Sequence, residues 1–567
     1  MGDGAMRGIL KRGVTLLAHP VLAFLLFCAT LHILHHFDTR WAFVPFLVMI
    51  MAAIATLLFV VSRRPVFSAY AAATIVLLIA AMSEAKFQLK GFSLHVFDLA
   101  FTGLDASAIR FLAGSYSYLL VAALAALGAV GLFFGVLFKG DRARSTPWWL
   151  KTGLVAGATS AAVALYPNKP GEPNYTHYIS GYNASSFFVS LGDLHLPFGK
   201  ITLVDVVEAA PTVGRMTNEV SCGDAASRPD VFFVLSESHT DPANFPQVTV
   251  PEAMSKAYQS DDGKVHPMYV ETFGGGTWVT NFSVMTGLSG SDFGWQSPYV
   301  TQMMERRVEA SFPQLLARCG YRTVAIMPMD FSFVNEGAFL TSLGFEEVVD
   351  YRDMAPKDHF VRDKFYFDVA EKLIREHRST DPRPLFVALQ TMFPHGPYDR
   401  SLVSAEELPE QPRYAEDAEA NEYLRRMAVA KLDFQAFLKE RQTTPGGAGS
   451  VVVEYGDHQA TATKLYLPAQ KDGRNIFADL HSPAYRTYFS VHGYGRTIDM
   501  KPLSLPMDVG FLSASVIEAA GLPTSPMFRS LAELRDACSG RYHECHDREK
   551  VDAHLKQRSD AGLLHLY

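Results

Sequence analysis

Four short segments of this sequence hold residues that could bind a divalent cation and transfer a phosphoryl group. They supply Glu237, His395 and the adjacent pair Asp457 and His458, and a Gly-Gly-Gly sequence leads into Thr277. Carboxylate oxygens and imidazole nitrogens suit a hard or borderline divalent cation. A hydroxyl coordinated by such a cation loses its proton more readily and can attack phosphorus. We therefore predict a metal-assisted reaction with Thr277 as the nucleophile.

The choice of Thr277 rests on its place in the sequence. Three glycines let the backbone approach a ligand closely, and the N-terminus of the helix predicted after them favours an anion. The same threonine could instead serve only as an N-cap. Other hydroxyls lie close by in the sequence: Thr272, Thr280 and Ser283.

Apolar runs place these residues at one edge of a predicted sheet. Runs typical of buried parallel strands cover 231–235, 321–327, 385–389 and 451–453. Helical patterns lie between and after them, at 308–317, 365–378, 422–441 and 509–520. The alternation predicts an α/β domain in which helices sandwich a largely parallel sheet. Because such sheets bind ligands at the carboxyl ends of their strands, the residues after each run should meet.

The first 166 residues differ from this pattern. Apolar stretches cover 15–34, 41–61, 66–82, 116–138 and 149–166, and each is long enough to cross a bilayer. They predict an all-α bundle of five transmembrane helices, and the scarcity of charge inside them disfavours a transporter. Lys and Arg are concentrated before the first stretch, between the second and third, and between the fourth and fifth. The positive-inside rule therefore predicts a cytoplasmic N-terminus and an exported chain after Tyr166.

Composition supports this division. The 567 residues carry a net charge of -7, which disfavours a strongly basic nucleic-acid binder. Residues 1–166 hold thirteen basic and six acidic side chains, so their net charge is positive. The net charge of the remaining residues is negative and about twice as large. We predict a transmembrane domain (1–166), a juxtamembrane linker with short interfacial helices (167–228), an extracytoplasmic catalytic domain (229–530) and a C-terminal tail (531–567).

The cysteines agree with an exported domain. Four of the five, Cys222, Cys319, Cys538 and Cys545, follow the predicted spans, and an even number in an oxidising compartment suggests disulfides. A bridge from Cys538 to Cys545 would close a short loop and is the favoured pair. The pairing of Cys222 with Cys319 is left open.

Several motifs resemble those of lipoteichoic acid synthase and related phosphoglycerol transferases of the alkaline phosphatase/sulfatase superfamily. The similar segments are residues 230–238 at the first strand, 275–282 around the threonine, 391–398 around His395, 455–458 and 507–523. The resemblance covers the five-span architecture and residues 230–525, and it excludes the tail. It implies an alkaline phosphatase/sulfatase-like fold.

The resemblance also implies roles for individual residues. Glu237, Thr277, Asp457 and His458 would bind one divalent metal ion, with Mn2+ favoured and Zn2+ or Mg2+ as alternatives. Thr277 would be the nucleophile, and His395 would assist it and contact the substrate. Trp278 and Asn335 would also bind substrate. The implied reaction moves phosphoglycerol from phosphatidylglycerol, a phospholipid donor in the membrane, to a hydroxyl of an extracytoplasmic glycan through a phospho-threonine intermediate. The implied location is the bacterial cytoplasmic (inner) membrane, with a periplasmic catalytic domain if the cell is Gram-negative.

Two departures from the family motifs keep alternatives open. The family has Trp-Asn-Arg where this chain has Val334, Asn335 and Glu336, so the donor head group could differ. A phosphoethanolamine transferase, or a phosphodiesterase that releases the group to water, is the alternative activity. The sulfatase signature Cys/Ser-x-Pro-x-Arg is absent near Thr277, which disfavours a sulfatase.

Overall fold

The computed structural model describes residues 13–38, 40–90, 92–101, 106–115, 117–167, 177–178, 181–195, 201–212, 214, 216–468 and 476–566. The chain divides into two compact units. One comprises Met1–Leu104 with Phe111–Pro197, and the other Asp105–Arg110 with Phe198–Tyr567. The finer four-part domain division stays a prediction.

The N-terminal unit is helical. Its longer helices are Pro20–Asp38, Val44–Ser62, Pro65–Lys90, Ser117–Gly140 and Trp148–Ala164, and its shorter ones include Val96–Phe101 and Ser186–Ser190. Within the described part of the chain, four segments are long and apolar enough to cross a membrane: Pro20–Asp38, Trp41–Ser62, Pro65–Gln88 and Leu120–Gly140. The fifth predicted span forms a helix of only 17 residues, Trp148–Ala164. The predicted N-terminal set of apolar helices is thus confirmed as four to five helices.

The second unit is built around one sheet of eight strands. They are β1 Asp230–Ser236, β2 His266–Tyr269, β3 Arg322–Ile326, β4 Glu347–Val349, β5 Leu385–Gln390, β6 Ser450–Gly456, β7 Arg486–Tyr494 and β8 Met507–Asp508. Their order is β4-β3-β5-β1-β6-β7-β2-β8. All neighbours pair in parallel except β7, which is antiparallel to β6 and β2. The prediction of a largely parallel sheet is therefore confirmed, and the single antiparallel strand β7 makes the sheet mixed.

Helices lie before, between and after these strands in the sequence and flank the sheet. They are Leu203–Ala209, Glu252–Lys256, Thr277–Thr286, Val300–Met303, Phe312–Arg318, Glu336–Ser342, Tyr351–Met354, Asp363–Thr380, Ala418–Thr443, Leu512–Ala520, Pro526–Ala537 and Arg548–Asp560. A further helix, Ala106–Ser115, spans a boundary between the two units.

Two predicted helices begin later than the apolar patterns indicated. The helix expected over 308–317 begins at Phe312, because Ser311 forms a capping box with Gln314 and Pro313 occupies the first turn. Val308 instead forms a β-bridge with Leu564. The pattern at 509–520 starts as a 3-10 turn, Val509–Phe511, before the helix Leu512–Ala520.

The four cysteines of the second unit form two disulfides. Cys222 is joined to Cys319, and Cys538 to Cys545. Cys28, in the first apolar helix, is free and exposed. The structure thus selects the pairing of Cys222 and Cys319 that the sequence left open.

Candidate active site

The central strands bring three of the candidate ligands to one edge. β1 and β6 are parallel neighbours, and their register pairs Ser236 with Gly456. Glu237 follows β1, while Asp457 and His458 follow β6, so these side chains leave the sheet at the same edge. All three residues are at most 2% exposed.

The glycine-rich loop brings Thr277 to the same edge. A β-bridge joins Phe273 to Gln459, and the backbone N–H of Gly274 donates to the carbonyl of Gln459 at 2.9 Å. The helix Thr277–Thr286 then begins after Gly276, whose φ of 94° lies in the left-handed region. A Cβ at Gly276 would lie 3.0 Å from Cγ2 of Thr272, so a larger residue would crowd the turn. Glycine therefore sets the direction in which Thr277 enters the site.

The four side chains form a compact cluster. Oγ1 of Thr277 donates to Oε2 of Glu237 at 3.1 Å and lies 3.4 Å from Nε2 of His458. The same imidazole nitrogen lies 3.2 Å from Oδ2 of Asp457 and 3.6 Å from Oε1 of Glu237. One hydroxyl oxygen, two carboxylates and one imidazole thus converge.

Hydrogen bonds from outside the cluster orient its members. Oδ1 of Asp457 accepts from the backbone N–H groups of Ser238 (2.7 Å) and His458 (2.9 Å). Nδ1 of His458 lies 3.0 Å from the carbonyl of Gln459, and a carbonyl can only accept. Nδ1 is therefore the protonated nitrogen, so the lone pair of Nε2 faces the cluster.

The electrostatics of the cluster call for a positive charge. Burial raises the pKa of Glu237, and the nearby Asp457 raises it further. Burial likewise raises the pKa of Asp457 to about 6. Among the described residues, His458 is the only basic side chain within 4.0 Å of either carboxylate, and its Nε2 carries no proton in the tautomer assigned above. Two carboxylates buried this close repel each other unless a proton or a cation lies between them.

The donor set fits a divalent cation. One ligand atom each from Glu237, Asp457 and His458 lie within 4.8 Å of one another. Oδ2 of Asp457 is buried and has no hydrogen-bond partner in the described part of the chain. Two oxygens and one imidazole nitrogen are ligands that Mn2+, Zn2+ and Mg2+ accept to different degrees.

His395 lies on a loop held by a buried arginine. A positive charge on His395 lowers the pKa of Glu237, so the His395 imidazole acts electrostatically on the cluster. The guanidinium of Arg426, which is fully buried, donates to the carbonyls of His395 (2.8 Å), Pro397 (3.0 Å) and Arg400 (3.0 Å). Its Nε also donates to Glu422 at 2.8 Å. Arg426 thus fixes the backbone that carries His395.

The two further residues predicted to bind substrate make contacts within the protein. The indole N–H of Trp278 donates to the carbonyl of Pro298 at 2.9 Å. The amide of Asn335 donates to Oε2 of Glu305 at 2.8 Å. Val334 and Asn335 have φ values of 45° and 61°. This left-handed conformation is strained for Val334, because its side chain is β-branched. Their substrate-binding role stays a prediction.

Glu336, where the resembled family has arginine, is buried and contacts the helix Thr277–Thr286. Its Oε1 accepts from Asn281 at 3.0 Å and from Gln390 at 2.8 Å. Only 4% of the residue is exposed, and burial raises the pKa of its carboxyl group. Glu336 therefore supports the helix of Thr277 and does not replace an anion-binding arginine.

Two of the three rival hydroxyls have other partners. Thr280 donates to the carbonyl of Asp457 at 2.7 Å, and Ser283 donates to Glu271 at 3.2 Å. Thr272 packs against Gly276, and among the described residues its buried hydroxyl has no partner. Of these four threonine and serine hydroxyls, that of Thr277 is the one that contacts Glu237.

Residues outside the predicted set also shape the site. Ser238, with a left-handed φ of 56°, donates from Oγ to Oε1 of Glu237 at 2.7 Å. Tyr423 donates to the carbonyl of Ser238 at 2.6 Å. The i,i+4 spacing of Glu422 and Arg426 was a sequence signal for an ion pair. Nothing in the local sequence indicated that this pair is buried or that it holds the His395 loop.

Comparison with known proteins agrees with the fold. Residues 229–484 match the model of the Sulfatase family, so this part of the chain is a sulfatase-family domain. The chain is 25% identical over 318 residues to an uncharacterized protein of Haemophilus influenzae, covering 53% of this chain and 55% of that one. It is 26% identical over 313 residues to a Rhizobium meliloti protein named for cyclic β-1,2-glucan modification, covering 52% and 44%. The chain thus matches about half the length of these curated relatives.

Solved structures show a more distant similarity. A phosphoglycerol transferase of Streptococcus pyogenes in complex with sn-glycerol-1-phosphate has a TM-score of 0.45 at 18% identity, covering 63% of this chain and 89% of that one. A lipooligosaccharide phosphoethanolamine transferase of Neisseria meningitidis has a TM-score of 0.46 at 12% identity, covering 84% and 94%.

Proposed function

We propose that this protein is a membrane-bound phosphoglycerol transferase that uses Thr277 as a covalent nucleophile. One observation carries the proposal. The Thr277 hydroxyl, at the N-terminus of a helix, lies 3.1 Å from Glu237 and 3.4 Å from His458 in a buried cluster of cation-binding side chains. The sulfatase-family domain and the motifs around residues 237, 277 and 457–458 support it.

In the first step, Oγ1 of Thr277 attacks the phosphorus of phosphatidylglycerol. The bond from phosphorus to the diacylglycerol oxygen breaks, and phosphoglycerol becomes esterified to Thr277. The threonine gives up its proton, and the leaving diacylglycerol oxygen takes one up. We assign the movement of this proton to His395, whose loop Arg426 holds in place.

In the second step, a hydroxyl of an extracytoplasmic glycan attacks the same phosphorus. The bond to Thr277 breaks, and Oγ1 regains a proton from the acceptor hydroxyl. A glycan acceptor is supported by the relative named for cyclic β-1,2-glucan modification.

Glu237, Asp457 and His458, together with Thr277, would hold one divalent cation, with Mn2+ favoured. When bound, the cation would stabilise the alkoxide form of the threonine and neutralise charge on the phosphoryl group. The helix N-terminus at Thr277 adds backbone N–H groups that favour an anion. Binding of the anionic phospholipid donor then needs no basic protein surface, which agrees with the acidic composition of the chain after residue 166.

We place the protein in the bacterial cytoplasmic membrane with the catalytic unit outside the cytoplasm. The distribution of Lys and Arg around the apolar helices supports this orientation. The two disulfides of the second unit also favour an oxidising compartment. A donor lipid would then share the membrane with the enzyme.

The proposal is tested by detecting the covalent intermediate on Thr277. The full chain is reconstituted in nanodiscs with phosphatidylglycerol and Mn2+, quenched in acid and digested for mass spectrometry. We expect an addition of about 154 Da on the peptide that contains Thr277, from simple formula arithmetic. Thr277→Ala should lower diacylglycerol release at least about a thousandfold, whereas Thr277→Ser should retain a measurable part of it.

The same assay separates the alternatives. Phosphatidylethanolamine as the better donor, with an addition of about 123 Da, would identify a phosphoethanolamine transferase instead. Release of free glycerol phosphate at the same rate with and without a glycan acceptor would identify a phosphodiesterase. Diacylglycerol release by Thr277→Ala at the wild-type rate would refute the nucleophile.

A further inference from the structure

A second group of potential ligands lies in the catalytic unit, outside the cluster around Thr277. One ligand atom each from Asp479, His481 and Glu544 lie within 4.8 Å of one another. Two of these residues come from the segment before β7. Glu544 comes from the loop that the disulfide between Cys538 and Cys545 closes.

The histidine of this group is buried and already oriented. Its side chain is 5% exposed, and its Nε2 lies 2.7 Å from Oδ1 of Asp508, which is itself 3% exposed. A histidine that donates one ring N–H to a carboxylate presents the lone pair of the other nitrogen to a metal. Asp508 is held in turn, since Oδ2 accepts from the backbone N–H of His543 at 3.1 Å.

The other ring nitrogen faces the two remaining carboxylates. Among the described residues, Nδ1 of His481 is buried without a hydrogen-bond partner. It lies 3.3 Å from Oε2 of Glu544. Two ligand atoms at about 2.1 Å from one tetrahedral ion are about 3.4 Å apart. The spacing therefore already matches a shared cation.

The surrounding charges favour a divalent cation. The carboxylates in this neighbourhood are Asp479, Asp508, Glu544 and Glu271, and the cationic groups are Arg541 and His543. Nε2 of His543 lies 3.1 Å from Oε1 of Glu271, and His543 is counted as a cation in this balance. Two negative charges therefore remain unbalanced.

We propose that Asp479, His481 and Glu544 form a second divalent-cation site, suited to Zn2+, in which Asp508 orients the histidine. The ion fastens the disulfide-closed loop to the segment that leads into β7. One imidazole nitrogen and two carboxylate oxygens leave a fourth position for water, and this mixed set suits zinc better than Mg2+ or Ca2+. The site does not depend on the function proposed for Thr277.

The test is metal stoichiometry in the purified full chain. The protein in detergent is stripped with chelator, dialysed against buffered free Zn2+ and measured by inductively coupled plasma mass spectrometry. We expect His481→Ala and Glu544→Gln each to lower the zinc content by one ion per chain. His546→Ala, an exposed histidine in the same region, is the matched control and should leave it unchanged.

Further variants separate the two sites and guard against misfolding. Asp457→Asn should lose at most the ion of the cluster around Thr277. Adding His481→Ala to this variant should also remove the ion held by Asp479, His481 and Glu544. Glu544 is half-exposed, so Glu544→Gln should fold normally even if His481→Ala does not. Arg541 donates to Glu544 at 2.7 Å, so Arg541→Ala should tighten zinc binding by up to about fivefold. An unchanged zinc content in folded Glu544→Gln and His481→Ala would overturn the proposal.

Discussion

Replacing Asp457 by asparagine tests the electrostatics of the active site directly. The carboxyl group is fully buried, and its pKa in the folded protein is about 6, against an ordinary value of 3.8. The folded protein therefore binds this proton more tightly than the unfolded chain does. Without metal, the contribution of Asp457 to the free energy of unfolding is highest below pH 3.8 and falls as the pH rises through 6.

The magnitude follows from the two pKa values. At about 1.36 kcal/mol for each factor of ten in proton affinity, the loss amounts to about 3 kcal/mol. The second unit, Asp105–Arg110 with Phe198–Tyr567, has 376 residues, and the unfolding entropy of a folded domain is about 2.1 cal/mol/K per residue. The loss should therefore lower the melting temperature by about 4 °C. A bound cation needs the carboxylate, so metal and proton compete at Asp457.

The assay is differential scanning fluorimetry of the full chain from pH 4 to 8, with chelator and with Mn2+. Other groups also titrate over this range, so the quantity compared is the difference between wild type and Asp457→Asn. In chelator, the wild type should lose about 4 °C relative to the variant as the pH rises. With Mn2+, the wild type should recover most of this loss at pH 7.5 but little at pH 5. Equal pH profiles in chelator, or equal stabilisation of both proteins by Mn2+, would refute the reasoning.

Two further predictions concern the scaffold. Arg426→Met should destabilise the second unit by about 3–5 kcal/mol, because it leaves the buried Glu422 without its cationic partner and removes the donor to three carbonyl groups. Adding Glu422→Gln should recover part of the melting temperature but not the transfer rate, since the His395 loop stays unsupported; full recovery of both would contradict a positioning role. Replacing Cys222 and Cys319 by alanine opens a loop of 97 residues and should cost up to about 4.5 kcal/mol. Cys28→Ala, at a free and exposed thiol, is the control, and an equal loss in both proteins would contradict the assignment.

Much of the sheet was predictable because its central strands are buried on both faces. The apolar runs at 231–235, 385–389 and 451–453 became β1, β5 and β6 with changes of one to three residues at their ends. Edge strands carry less of this signal. β4 and β8 have only three and two residues, and β7 runs antiparallel through residues that no local pattern marked. Their pairing depends on neighbours far away in the sequence.

The site could be predicted only in part, for a similar reason. Glu237 and Asp457 were found because each lies within four residues of the end of an apolar strand signal, in a motif that resembles the family's. The roles of Ser238, Tyr423 and Arg426 depend on contacts between segments more than one hundred residues apart, or between a helix and a loop. Asn335 and Glu336 were compared by motif position alone, and the buried hydrogen bonds of Glu336 show that motif position does not determine what a side chain contacts.

The sequence by itself determined the division into apolar helices and an α/β domain, and the residue types that could bind a cation. These properties depend on local hydrophobicity and on chemistry that each side chain carries alone. Only the tertiary structure decided that Thr277, and not Thr280 or Ser283, contacts Glu237, and that His481 faces a second group of carboxylates. The first outcome depends on the register of β1 against β6, because backbone hydrogen bonds between distant strands set which side chains meet. The second depends on the disulfide-closed loop that brings Glu544 to His481.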